Sequence, residues 1–208
     1  MNTRTRLWGP LAGLSLLSVC AHVPAEEAPI PSKWNIQEIS YPYSGFTTAY
    51  DCDSAADKVR DILKALGAHE STKVRATGCP ASRPSRTFFL TITAATPVPA
   101  ADVQPTQADK SRQELLQRLG KKNQLLDQEF PASWQTVDLT KERRLNINPG
   151  DCELIEGLRD KVLPKLGVKI EEERITCTPN QLSLHPPYLR VSALKALPSP
   201  DTKAAGES

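Results

Sequence analysis

Residues 51–79 read DCDSAADKVRDILKALGAHESTKVRATGC, and residues 151–177 read DCELIEGLRDKVLPKLGVKIEEERITC. With an offset of one hundred residues, Pro31, Trp34, Asp51, Cys52, Leu63, Leu66 and Gly67 fall on Pro131, Trp134, Asp151, Cys152, Leu163, Leu166 and Gly167. Past the glycine the offset slips by one or two. Arg75 and Thr77 then answer Arg174 and Thr176, and Leu90, Ile92 and Ala94 answer Leu189, Val191 and Ala193. Self-similarity at a fixed spacing is the signature of a structural repeat. It divides the chain into two units, residues 31–97 and 131–198.

Each unit reads in physical terms. Ala55, Val59, Ile62, Leu63 and Leu66 recur at the spacing of one helical face, which predicts an amphipathic helix. Asp51 or Asp53 supplies an acceptor for its first N–H groups, and Gly67 supplies the left-handed stop. In the second unit Ile155, Leu158, Val162 and Leu166 form the face. Pro164 removes a hydrogen bond there and crowds the carbonyl four residues back, so this helix should kink or end early. Alternating runs follow, Val74 and Ala76 against Arg75 and Thr77, then Leu90, Ile92 and Ala94 against Phe89, Thr91 and Thr93. They predict two half-buried strands. RATGC is one residue longer than RITC, and a bulge at Gly78 would return Cys79 to the facing of Cys177. Upstream, residues 34–40 and 46–50, with 134–140 and 143–147, read as extended.

The unit is therefore βαββ, and the cysteines follow from it. A helix of about fourteen residues rises roughly 21 Å, and six strand residues return about 20 Å. In a right-handed crossover the helix starts at the end of the sheet where the second strand finishes. Cys52 should then meet Cys79, and Cys152 should meet Cys177. Each bridge closes a loop worth roughly 3.5 kcal/mol in the chain-entropy model. One unit alone has a marginal core. The expected fold is α+β, with two tandem βαββ repeats sharing one core about a pseudo-twofold, and the helices on one face of a mixed β-sheet.

Residues 1–25 carry Arg4 and Arg6, an apolar run from Leu7 to Val19, and a small-residue end at Ala25. That is the pattern of a secretory signal peptide, cleaved after Ala25 or, alternatively, after Ala21. Residues 17–20 approach a lipoprotein box ending in Cys20, but Val19 is bulkier than such a box accepts. Removing the leader leaves four cysteines, and twenty-four Lys plus Arg against twenty-four Asp plus Glu. An even cysteine count in an exported chain suits disulfides. Neutrality argues against nucleic acid, and no remaining apolar stretch is long enough for a transmembrane segment. The expected location is periplasmic or secreted.

Residues 98–130 join the units. Their proline and alanine-rich start suits a semi-rigid linker, and residues 109–130 read as a helix with Leu115, Leu119 and Leu126 on one face. That helix either bridges the units, docked on the sheet, or binds a partner. Residues 199–208 read as a disordered tail.

The chemistry-bearing residues are few. His69 and His185 lie in different units without matching partners, and no GxSxG, HExxH, Walker loop or CxxC occurs, so no catalytic or cofactor motif is present. Glu171, Glu172 and Glu173 form a charge run of the kind usually found in a wet loop. Cys52 and Cys152, each behind an aspartate at a helix start, would be reactive or bind soft metal if reduced. Arg75 and Arg174 recur as RxT and are the candidate contacts for a carboxylate or phosphate ligand. Trp34 and Trp134 recur as core or cap residues.

A DC-led helix ending in LG, followed by a strand and a second cysteine, resembles an uncharacterised family of short secreted proteobacterial proteins. The likeness spans both units, including GDCELIEGLRDKVLPKLG, and implies an exported, disulfide-bonded protein without implying an activity. Strand–helix–strand units with a cysteine at the helix start are also similar to small copper-chaperone domains, which carry a CxxC loop that this chain lacks. The reading that follows is a non-enzymatic, exported binding or assembly module of the cell envelope, offering a sheet edge or the inter-unit helix to a protein partner. The alternative is a periplasmic thiol-redox or soft-metal-handling protein using Cys52, Cys79, Cys152 and Cys177.

Overall fold

A computed structural model describes residues 28–80, 83–103 and 128–198, together with Ser111, Glu114, Leu115 and Arg118. The expected signal peptide, the tail and most of the bridging helix lie outside the described residues. The elements are β1 (Ile30–Ser44), α1 (Cys52–Ala65), β2 (Lys73–Thr77), β3 (Thr87–Pro99), β4 (Phe130–Asp138), α2 (Cys152–Lys161), β5 (Lys169–Arg174) and β6 (Tyr188–Ala196). They form one six-stranded sheet in the order β2-β3-β1-β4-β6-β5. The fold is α+β, as the periodicities require.

Every hydrogen-bonded pair in the sheet is antiparallel. β1 and β2 both oppose β3 and therefore run parallel to each other, as the crossover through α1 demands, with β3 lying between them. The second half repeats this order, with β6 between β4 and β5. The halves meet where β1 pairs with β4 over three rungs only: Ile30 with Ala132, Pro31 with Pro131, and Ser32 with Phe130. The rungs are symmetric about the two prolines. Proline has no N–H to donate, so this seam is a weak ladder and packing must hold the halves together.

That packing is one buried cluster drawn from both halves and both helices. Ile39, Tyr41 and Tyr43 of β1 alternate inward beside Ile92, Leu90 and Phe88 of β3. Ala55, Val59, Ile62 and Leu63 of α1 cover this face, as do Leu154, Ile155 and Leu158 of α2. Each fully buried aliphatic side chain contributes roughly 1.5–3 kcal/mol. The second helix crosses onto the first half, where the Tyr41 hydroxyl donates to the Leu154 carbonyl at 3.5 Å.

Local chemistry explains the ends of the elements. Asp51 caps α1 by accepting from the Ser54 N–H at 3.1 Å, and Gly67 after it adopts φ +92°. α2 stops at Lys161 and continues as a 3-10 turn over Leu163–Leu166, with Gly167 at φ +71°; Pro164 ends the α-helix as expected.

Three expectations need correction. Residues 46–50 and 143–147 are not strands. β1 runs unbroken to Ser44, and Tyr50 makes only an isolated bridge with Ser85. Arg143–Leu145 forms a 3-10 turn closed by Asn146 at φ +44°. Gly78 is not a ladder bulge: β2 ends at Thr77, and Gly78 turns the chain at φ +82° just beyond it. The ladder irregularity lies instead in β5, between Ile170 and Glu172. The proline-rich stretch read as linker from 98 also begins inside β3, which continues to Pro99.

Gly157 of α2 is where the second helix meets β1. A methyl group there would stand 2.7 Å from Cζ of Tyr41 and also overlap its hydroxyl, and Tyr41 is itself buried. Alanine for glycine in a helix ordinarily gains up to about 1 kcal/mol. Here Gly157→Ala is expected to cost roughly 1–3 kcal/mol through overpacking, seen as a lower urea midpoint, and Gly157→Ala with Tyr41→Phe should recover part of that loss.

Candidate functional site

The four cysteines gather at the ends of their units as the crossover geometry requires. Cys52 is bridged to Cys79 and Cys152 to Cys177, with Cα–Cα distances of 6.4 and 5.6 Å. Beside the second bridge lies a cleft of about 670 Å³. It opens where β4 ends, α2 begins, β5 ends and β6 begins. Its walls include Thr140, Cys152, Arg174, Leu184, His185 and Tyr188. A volume in this range is ordinary for a ligand site.

Its charged wall is built on β5 and β6. Arg174 stands opposite Tyr188 in the ladder, and its guanidinium lies over the Tyr188 ring at 4.4 Å. Glu172 is 4.0 Å from Arg174 but 3.2 Å from Arg190, and it accepts a 3.2 Å hydrogen bond from the Tyr188 hydroxyl. Glu172 is thus committed mainly to Arg190 and Tyr188. Arg174 is held by stacking, with its donors turned to solvent. No Asp or Glu is among the lining residues of the cleft.

Its apolar wall is the segment TPNQLSLHPP, residues 178–187. Leu182 is 64% exposed and Leu184 is 93% exposed, a costly placement for two leucines so close together. Phe46 from the first half is 59% exposed and lies on the neighbouring surface. Its N–H and that of Thr47 donate to the Glu153 carboxylate at 3.0 and 3.1 Å, and the Thr47 hydroxyl donates to the Thr178 carbonyl at 3.4 Å. Both halves therefore build this end of the molecule.

The two arginines singled out by sequence are separated. Arg174 lines the cleft, whereas Arg75 stands opposite Thr91 in the β2–β3 ladder and is exposed away from the cleft. Their aromatic environments differ because Phe89, the residue matching Tyr188, pairs with Thr77 instead. His185 lines the cleft, while His69 packs edge-on against Trp34, with centroids 4.9 Å apart, and meets the Ser71 hydroxyl. The tryptophans are not core residues. Trp34 is half-buried between His69 and Phe130, and Trp134 lies under the Lys169 ammonium at 4.0 Å. The charge run is not a loop but part of strand β5, and each glutamate has a partner in the same half: Glu171 the Thr136 hydroxyl, Glu172 Arg190, and Glu173 Arg159. Among the described residues no group of three or more His, Cys, Asp or Glu is arranged to hold a metal ion.

Sequence reasoning missed a second polar centre. Asp151 is 1% exposed, and its carboxylate accepts from Lys58 Nζ at 2.7 and 2.8 Å, from the Tyr50 hydroxyl at 2.8 Å and from the Asn148 N–H at 2.8 Å. Asp51, one hundred residues earlier in the matching sequence, is a solvent-exposed helix cap. Lys58 lies among the polar positions of α1, so the pattern alone placed it in water. Leu182 and Leu184 did carry a signal, as isolated apolar residues in a proline and asparagine-rich run without core periodicity.

No protein-family model matches the chain, and no curated protein or solved structure matches it at a significant level.

The polar centre makes two predictions. Lys58→Met leaves the Asp151 charge buried without its cation, and should cost roughly 3–5 kcal/mol in urea unfolding. Burial pushes the Tyr41, Tyr43 and Tyr50 phenols above their usual value of 10.0, and the Asp151 charge adds to the effect on Tyr50. The unfolded chain ionises these phenols near that value and the folded chain does not. Their contribution to stability is therefore complete below pH 10 and is lost as pH rises further. In an alkaline titration, phenolate absorbance from these three should appear together with unfolding rather than before it.

Proposed function

We propose that this chain is an exported, non-enzymatic binding or assembly module of the bacterial cell envelope. It engages a protein partner through the cysteine end of its second half. The observation that carries this reading is the exposure of Leu182 and Leu184 at a cleft braced by the Cys152–Cys177 bridge, with exposed Phe46 on the other side of that bridge's loop. Apolar side chains gathered on a surface mark interaction sites more often than singly scattered ones do. The bridge holds the loop that carries both leucines, so less ordering entropy is lost when a partner binds.

Two closed disulfides fit an oxidising compartment, and among the described residues no helix is long and apolar enough to cross a membrane. The leader-like residues 1–25 and the resemblance to short secreted proteobacterial proteins support export. The sheet edges are weaker candidates for partner pairing. β5 is wholly exposed but carries three consecutive glutamates engaged with their own half, and charge on an edge strand discourages strand addition.

The test is site-specific photo-crosslinking in the producing cell. A photoreactive residue at Leu184 should give one discrete adduct, and the same residue at Lys73 on the far edge strand should give none. Equal adducts at both positions, or none at Leu184, would remove the docking surface. Protein from the same envelope fraction, alkylated under denaturing conditions, should take up no label. Reaction of two or four thiols would instead favour the redox or soft-metal reading.

A further inference from the structure

We infer that the cleft beside the Cys152–Cys177 bridge takes an extended segment of a partner protein, with a carboxylate on Arg174 and neighbouring apolar side chains on Leu182 and Leu184. This deepens the binding reading above and rests on it.

Charge selects the ligand. Arg174 lines the cleft, and no acidic residue does. The Arg174 guanidinium lies over the Tyr188 ring at 4.4 Å, and its side chain is 72% exposed, which leaves N–H groups open to a ligand. Among the described residues its polar neighbour is Glu172 at 4.0 Å, beyond hydrogen-bonding range and already served by Arg190 and Tyr188. A stacked guanidinium with open N–H groups matches the planar fork of a carboxylate. Thr176 also lines the cleft, and its hydroxyl is of the right kind to donate to a further carboxylate or carbonyl oxygen; the hydroxyls of Thr140 and Ser183 already donate to Asp138 and to the Thr176 carbonyl.

The surroundings select against a polyanion. Glu171, Glu172 and Glu173 lie immediately before Arg174 on β5, and a nucleic-acid backbone following the strand would meet three carboxylates for one guanidinium. Phosphate binding of that kind draws its affinity from several cations together. A single carboxylate placed on Arg174 meets Glu172, whose charge Arg190 already pairs.

The apolar half sets the size of the ligand. Leu182 and Leu184 project 64% and 93% exposed, so the apolar surface extends outside the cavity. Both leucines line the cleft, but a small metabolite inside it would leave much of two side chains so exposed in water. An extended peptide covers them, placing its acidic residue inside and its apolar residues along the rim.

The experiment selects a random peptide library on the full, disulfide-closed chain, with parallel selections on Arg174→Gln, on Leu182→Ser with Leu184→Ser, and on Lys169→Gln as the charge control on the same strand. The expected result is enrichment of Asp or Glu adjacent to Leu, Phe or Pro on the unmodified chain and on Lys169→Gln. Arg174→Gln should lose the acidic preference and bind the enriched peptides about tenfold or more weaker, the loss of one charge-assisted pair. The leucine variant should lose the apolar preference. Enrichment without acidic residues, or an acidic preference that survives Arg174→Gln, overturns the inference. If that happens while Leu184 still crosslinks to a partner in the cell, the binding module stands and only its ligand class is wrong. If neither enrichment nor crosslink appears, both fall.

Discussion

Asp151 is buried to 1% exposure and still holds a charge, because Lys58, Tyr50 and Asn148 all turn toward it. Taking a carboxylate and an ammonium out of water costs several kcal/mol each, and such a pair is retained only where the geometry is good and the remaining lone pairs are satisfied. Here they are. Lys58 comes from the first helix, Asp151 from the turn leading into the second, and Tyr50 from the loop between β1 and α1. The pair can close in only one relative placement of the two halves, so its main effect is to set their register.

The need for such a register lies in the seam. β1 and β4 share three rungs, and the middle rung sets proline against proline. A ladder so short cannot define the angle between two half-sheets. The side chains that cross it do so instead. Tyr41 fits over Gly157, Glu153 accepts the N–H groups of Phe46 and Thr47, and the inward faces of both halves merge into one cluster. A half of this size buries too little surface to be secure alone, which is why the core is continuous.

The candidate site follows from the same interlock. Glu153 and Thr178 hold the loop that presents Phe46 next to the loop that presents Leu182 and Leu184. The Cys152–Cys177 bridge keeps the second loop against the helix start. At the matching end of the first half the ladder sits in a different register, so Arg75 faces Thr91 rather than an aromatic ring, whereas Arg174 faces Tyr188.

Most of the architecture was legible in one dimension. The 3.6-residue and two-residue periodicities placed both helices and the strands β2, β3 and β6, Pro164 and Gly167 placed the end of the second helix, and the rise of helix against strand paired the cysteines; β5 was missed over its glutamates, because charge without alternation carries no strand period. These features depend on neighbours in the chain or on lengths that backbone geometry sets. Other features depended on which distant atoms came together. Asp51 and Asp151 occupy matching places in the sequence, yet one caps a helix in water and the other is a buried anion, because only Asp151 lies where Lys58 of the other half can reach it. Arg75 and Arg174 share a motif, but the aromatic partner of each is set by ladder register. Trp34 and Trp134 are large apolar residues of the core type, yet lie outside the cluster, Trp34 against His69 and Phe130 and Trp134 under the Lys169 ammonium. Charge burial, stacking and register are properties of three-dimensional neighbours, and sequence spacing carries no measure of them.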